Sequence, residues 1–255
     1  MKLTPEIYFT KVPPFLCERF GNLDSELFYV NEFTFAVAVI LSAQATDKKV
    51  NEITPALFKI APDPYAMLEL GEAKLKQYIK QISFFNNKAR HIIGLSRVLV
   101  NCTPLGGSQS KAKGEAMVGE QNNIPPTDAD ASTPPKGGVV ANNYKFPPQY
   151  YNQKELMALP GIGQKTANVI MNVLWGEPLI GVDTHVMRNA RRYGWVTEFD
   201  NTPEKIERAL MKIIPKKYHA IANHVMVLHG RYICVARRPK CTECPVKKWC
   251  DFNKK

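Results

Sequence analysis

The chain has 255 residues and a net charge of +11, from 34 Lys and Arg against 23 Asp and Glu. That length accommodates one large domain or two small ones with a full core, and the basic balance suits a polyanionic partner, either nucleic acid or an acidic membrane surface. Insertion into a membrane is argued against, because the longest apolar run near the N-terminus, Phe35 to Leu41, is far short of the ~20 residues that span a bilayer.

The opening stretch, MKLTPEIYFTKVPPF, carries prolines and a late lysine where a signal peptide has its apolar segment, so a cytoplasmic protein is expected. Next come three runs with apolar residues at three- and four-residue spacing: AVAVIL, KARHIIGLSRVL from Lys88, and PEKIERALMKII from Pro203, the last with Ile206, Leu210 and Ile213 in register. That period predicts helices. Alternating strand patterns are scarce and no internal repeat is found. From Thr103 to Gly137 only Leu105, Met117, Val118 and Ile124 are large and apolar. So little apolar surface does not offset the entropy of ordering, and a mobile insertion is expected there. Its length adds little closure cost, which grows only logarithmically.

In LPGIGQKTANV, Leu156 and Leu159 close a short helix, Pro160 to Gly163 makes a turn, and a second helix runs through TANVIMNVL. Glycines let the backbone approach a ligand closely. Gly161 and Gly163 therefore leave the N–H groups of a helix N-terminus open to an anion such as a DNA phosphate; a plain helix connection reads the same way. Lys165 falls in the first turn, where the helix dipole is already positive and Asp or Glu is the usual choice. A free lysine titrates near 10.4, so about one amine in a few thousand is neutral at pH 7. The dipole, and an expected partial burial, raise that fraction. Lysine nucleophiles make Schiff bases with carbonyl carbons, and the ring-opened sugar of a base-less DNA site offers one at C1′.

Further on, Gly176 and Pro178 stop the helix and GVDTHVMRNARRYGW starts another, with Asp183 at its N-cap. Arg188, Arg191 and Arg192 lie along it, and Val186, Ala190 and Tyr193 mark its buried stripe. A carboxylate near Lys165 would stabilise a cationic, sugar-like transition state and relay protons. His185 contacts DNA, orients a neighbour or is structural; His219, His224 and His229 lie in a helical region without identifiable metal-ligand partners.

Cys17 and Cys102 read as ordinary thiols of a reducing compartment. The other four, Cys234, Cys241, Cys244 and Cys250, are spaced C-x6-C-x2-C-x5-C. Two disulfides in so short a span suit a small secreted protein, so four thiolates around one metal centre is the better reading. Spacing leaves zinc and an iron–sulfur cluster both open. Arg237, Arg238, Lys240, Lys247 and Lys248 surround the ligands, as phosphate contacts or as a solvated basic face.

Taken together, LPGIGQKTA, VDTHVMR and the four-cysteine loop, in that order, resemble the endonuclease III family of helix-hairpin-helix DNA glycosylases. The likeness runs from about Glu32 to the C-terminus, interrupted by the insertion. It implies an all-α fold of two domains. One is a six-helix barrel over 26–176 that includes the helix-hairpin-helix at about 152–175 and the insertion at 103–137. The other joins 1–25 to 177–255 and carries a C-terminal [4Fe-4S] cluster loop at 234–250. It also implies Lys165 and Asp183 as catalytic residues, and Cys234, Cys241, Cys244 and Cys250 as cluster ligands. Gln44, in LSAQATD, becomes the residue filling the gap left by an extruded base, and Phe84 stands where the family places an apolar wedge, often leucine. Gly161, Gly163, His185, Arg188, Arg237 and Arg238 complete the expected DNA contacts. The implied activity is a glycosylase/AP lyase that excises damaged pyrimidines from double-stranded DNA and cuts the strand by β-elimination, working as a nucleoid-associated monomer without a membrane. Adenine glycosylases of the same superfamily usually lack the lysine and carry a further C-terminal domain, which disfavours them here; a non-catalytic, metal-stapled DNA-binding module is the alternative from another class.

Overall fold

A computed structural model describes residues 2–21, 25–102 and 143–254. Among these, ten α-helices and four short 3-10 turns occur and no strand. In chain order the helices are α1 (Pro5–Phe20), α2 (Glu32–Ser42), α3 (Asp47–Ile60), α4 (Pro64–Ile79), α5 (Phe85–Cys102), α6 (Gln153–Met157), α7 (Gln164–Trp175), α8 (Thr184–Tyr193), α9 (Pro203–Ile213) and α10 (His219–Tyr232). The three periodic runs fall in α2, α5 and α9. The mobile insertion expected at 103–137 lies outside the described residues.

Two hydrophobic cores organise the molecule. The first is built on α2, whose residues from Phe33 to Leu41 are all buried. A helix apolar on every side has to be enclosed by others, and α3 to α7 surround it in a six-helix barrel through Val50, Leu57, Leu75, Ile92, Leu99, Leu156 and Ile170. Each such side chain contributes about 1.5–3 kcal/mol on burial. Asn31 starts α2 with a capping box, accepting from the Thr34 backbone N–H while the Thr34 hydroxyl accepts from the backbone N–H of Asn31. The second core joins the N-terminal α1 to α8, α9, α10 and the C-terminal loop through Tyr8, Leu16, Val186, Ile206, Leu210 and Val225.

The two cores meet beside the start of α3. Arg231 of α10 donates to Asp47 at 2.7 Å and to Glu26, and the Tyr232 hydroxyl donates to Glu26 at 2.6 Å. Charge-assisted bonds of this kind fix geometry as well as adding energy. No helix among the described residues is long and apolar enough to cross a membrane.

Candidate active site and cluster loop

The hairpin consists of α6, a turn and α7. α6 ends at Met157, so Leu159 is part of the turn rather than of the helix, where it is buried against the barrel. Gly161 has φ 81, and a Cβ there would stand 2.8 Å from the His91 Cβ; positive φ and close approach to α5 both demand glycine. Gly163 differs. It is the N-cap of α7, has no side chain to bond the first N–H groups, and a Cβ there would meet open space. The N-terminus of a twelve-residue helix is thus left uncovered and exposed, the arrangement that receives an anion.

Lys165 is in the first turn of α7. Its Nζ lies 3.6 Å from the Asp183 Oδ2, with the lysine side chain 55% exposed and the aspartate 15%. The two residues singled out for chemistry therefore meet in space. The side chain is more exposed than the expected partial burial: the buried stripe of α7 begins only at Ala167, so the first turn projects outward. Asp183 divides its oxygens. Oδ1 accepts from the backbone N–H groups of His185 at 2.8 Å and Val186 at 2.9 Å, as the N-cap of α8, while Oδ2 faces the lysine. Capping fixes the carboxylate's rotamer, so its free oxygen is pre-oriented.

Asn168, one turn beyond Lys165, is fully buried and escaped the sequence reading. Its amide donates to the Ile180 carbonyl at 3.2 Å and to Glu207 Oε1 at 2.8 Å, and its carbonyl accepts from Gln153. It thus ties both hairpin helices to α9 and to the connection leading into Asp183. Burial raises the Glu207 carboxyl above its ordinary pKa. A polar residue inside an apolar helical stripe was the available signal.

Gln44 and Phe84 are both exposed, Phe84 at 63%, and both adopt left-handed backbone, with φ 56 and 57. Such conformations are uncommon outside glycine and concentrate where function over-determines the chain.

The cluster loop follows α10. Cys234, Cys241, Cys244 and Cys250 line one cavity with Tyr193 and His229. Among the described residues no three His, Cys, Asp or Glu side chains are close enough to share one metal ion. Four thiols lining one cavity are a donor set that an iron–sulfur cluster uses. Burial pushes the Cys244 thiol up to about 12 and raises Cys234 as well, so the thiolate form depends on a metal's charge. His229 is buried, which lowers its pKa to about 3 and keeps it neutral; its Nδ1 lies 2.6 Å from the Tyr193 hydroxyl and its Nε2 3.5 Å from the Cys244 Sγ.

Arg192 donates to the carbonyls of Cys234, Val235 and Ala236 and reaches the Cys234 Sγ at 3.3 Å. Arg188, expected at the DNA, instead turns its guanidinium inward: it donates to the carbonyls of Gly230 at 2.7 Å and Cys234 at 3.1 Å and contacts His185 Nδ1 at 3.1 Å. A planar donor fork beside a loop rich in unpaired carbonyls is satisfied there first. Half-buried His185 is oriented by this contact. Arg237 and Arg238 are exposed, Arg238 with φ 51.

Fold and site together define a helix-hairpin-helix protein with a lysine–aspartate pair at the hairpin and a four-cysteine loop. Residues 37–216 match the family model of the HhH-GPD superfamily base excision DNA repair proteins, and 234–250 match the iron-sulfur binding domain of endonuclease III. The chain is 42% identical to endonuclease III of Rickettsia conorii over 231 residues, covering 91% of this chain and 89% of that one. It is 35% identical to endonuclease III of Escherichia coli over 233 residues, with 91% and 89% covered. A solved structure of a trapped endonuclease III–DNA covalent intermediate superposes with a TM-score of 0.72 at 33% identity, over 99% of this chain and 98% of that one. The chain belongs to the endonuclease III family of the HhH-GPD superfamily, and its cofactor is a [4Fe-4S] cluster.

Proposed function

We propose that Lys165 is the nucleophile and Asp183 its proton partner in a base excision repair enzyme that removes damaged pyrimidines from double-stranded DNA. DNA glycosylase with AP lyase activity is the chemistry of the endonuclease III family to which the chain belongs. The observation that carries the residue assignment is the 3.6 Å approach of the Lys165 amine to the one Asp183 oxygen not used in capping.

In this reading Asp183 takes a proton from the ammonium, and the free amine attacks C1′ of the extruded nucleoside. The bond from C1′ to the base breaks, its electrons leaving with the base, which takes up the proton held by Asp183 as it departs and so returns the carboxylate to its charged form. Loss of the amine proton and opening of the sugar ring give the Schiff base. The imine acidifies the C2′ protons; removal of one expels the 3′ phosphate, and water then releases the enzyme. Asp183 stabilises the positive charge that develops on the sugar. Damaged pyrimidines stack and pair poorly, which reduces the few kcal/mol that extrusion costs. Gln44 and Phe84 fill the space vacated, and the N-terminus of α7 beyond Gly163, with Arg237 and Arg238, holds backbone phosphate. Arg188, with His185 against it, acts through the loop that it braces.

Cys234, Cys241, Cys244 and Cys250 are the proposed cluster ligands, and the cluster supplies a structural staple that orients the basic loop. The division at 26–176 against 1–25 with 177–255 is proposed on the two cores, and a nucleoid-associated monomer on the net positive charge. The test is excision of an oxidised pyrimidine from a duplex by wild type and by Lys165→Ala: the variant is expected to release no base and leave the strand intact, and equal activity removes Lys165 from its role.

A further inference from the structure

Two separate turns of the barrel hold exposed non-glycine residues in left-handed backbone: Gln44, after α2, and Phe84, before α5. Each such residue costs roughly 1–2 kcal/mol, so neighbouring structure has to hold both. One residue touches both turns. The Lys88 side chain is buried, and its Nζ donates to the Leu41 carbonyl at 2.8 Å and the Ala43 carbonyl at 2.5 Å, at the end of α2 immediately before Gln44. Its own backbone N–H donates to the Phe84 carbonyl at 3.1 Å.

A buried ammonium is costly unless it is bound. Here it is bound by carbonyl dipoles at the negative end of a helix, where a cation is favoured. A methionine would fill the same stripe, formed by Lys88, Ile92, Leu95 and Leu99, without that desolvation. What lysine adds is reach to the Gln44 turn. We infer that Lys88 is a positioning residue that locks the Gln44 turn and the Phe84 turn in one register, so that both side chains enter the duplex together as the damaged base leaves. This rests on the proposed reading of Gln44 and Phe84 as inserting residues.

The test compares two substrates of the full-length, cluster-loaded enzyme. One is a duplex carrying an oxidised pyrimidine, which requires extrusion; the other is a single-stranded abasic oligonucleotide, which does not. Lys88→Met is expected to lower single-turnover base release from the duplex by about 10- to 100-fold, the equivalent of one or two charge-assisted hydrogen bonds. Borohydride trapping on the single strand should stay within about threefold. With 2-aminopurine beside the lesion, the fluorescence rise that reports unstacking should shrink in the variant. Lys88→Gln, which keeps one shorter donor, should fall between wild type and Lys88→Met and gives the same comparison if the methionine variant does not fold. Equal losses on both substrates, or no loss on either, overturn the inference. If wild type itself fails to trap, the nucleophile assignment falls and this inference with it; if wild type traps and the Lys88 variants match it on the duplex, only this inference falls.

Discussion

At the hairpin, Lys165 has more than half of its side chain in solvent and a carboxylate at 3.6 Å. At the cluster loop, Arg188 and Arg192 are committed to a series of main-chain carbonyls. Both regions are basic, yet Lys165 is left available while Arg188 and Arg192 are consumed in bracing, with Arg237 and Arg238 beside them left exposed. Availability, rather than charge, separates a reacting group from a scaffold, and it is set by how many acceptors the surrounding fold supplies. Lys88 sharpens the point, being a lysine like Lys165 that is buried on carbonyls and braces a turn.

Removing the available amine has the largest expected effect. Lys165→Ala should lower strand cleavage by on the order of 10⁴-fold or more, with thermal stability within ~0.5 kcal/mol of wild type, as for other exposed positions. A matching loss of stability would make Lys165 a brace and erase the contrast. Asp183→Asn comes next: asparagine caps a helix as well as aspartate, so α8 should survive while excision falls by about 10²- to 10⁴-fold. If activity is retained, the free oxygen has no role.

The third test titrates the buried lysine. Burial lowers the Lys88 pKa from 10.5 to about 8, so between those values the unfolded chain binds more protons than the folded one. Stability then rises with pH across that window, and the contribution, fully present above the unfolded pKa, is lost as pH falls through the folded one. Denaturant unfolding of wild type should gain up to about 3 kcal/mol relative to Lys88→Met between pH 7 and 10.5. A constant difference would mean that the lysine is not buried as an ammonium. The smallest effects distinguish in kind two glycines that stand two residues apart. Gly161→Ala, with φ 81 and His91 at 2.8 Å, should destabilise by about 2 kcal/mol. Gly163→Ala meets open space and should leave stability within ~0.5 kcal/mol while weakening duplex binding a few-fold.

Much of this arrangement was legible in the chain. Glycine punctuation, an aspartate at an N-cap and cysteine spacing are local signals, and they located α7, α8 and the cluster loop. Three features were not local. The outward projection of Lys165 depends on where the α7 stripe meets the barrel, which helix period alone does not fix. The inward turn of Arg188 depends on carbonyls of Gly230 and Cys234, contributed by α10 and the loop that follows it. Lys88 and Asn168 stood in plain view as polar residues inside apolar stripes, but their partners at 41, 43, 180 and 207 appear only once the helices assemble.

The most direct measurement is borohydride reduction of the enzyme on a duplex containing an abasic site, followed by proteolysis and mass mapping of the DNA-bearing peptide. Attachment at Lys165, absent in Lys165→Ala, is the predicted result. An adduct on a different lysine, or undiminished trapping by the alanine variant, would contradict it.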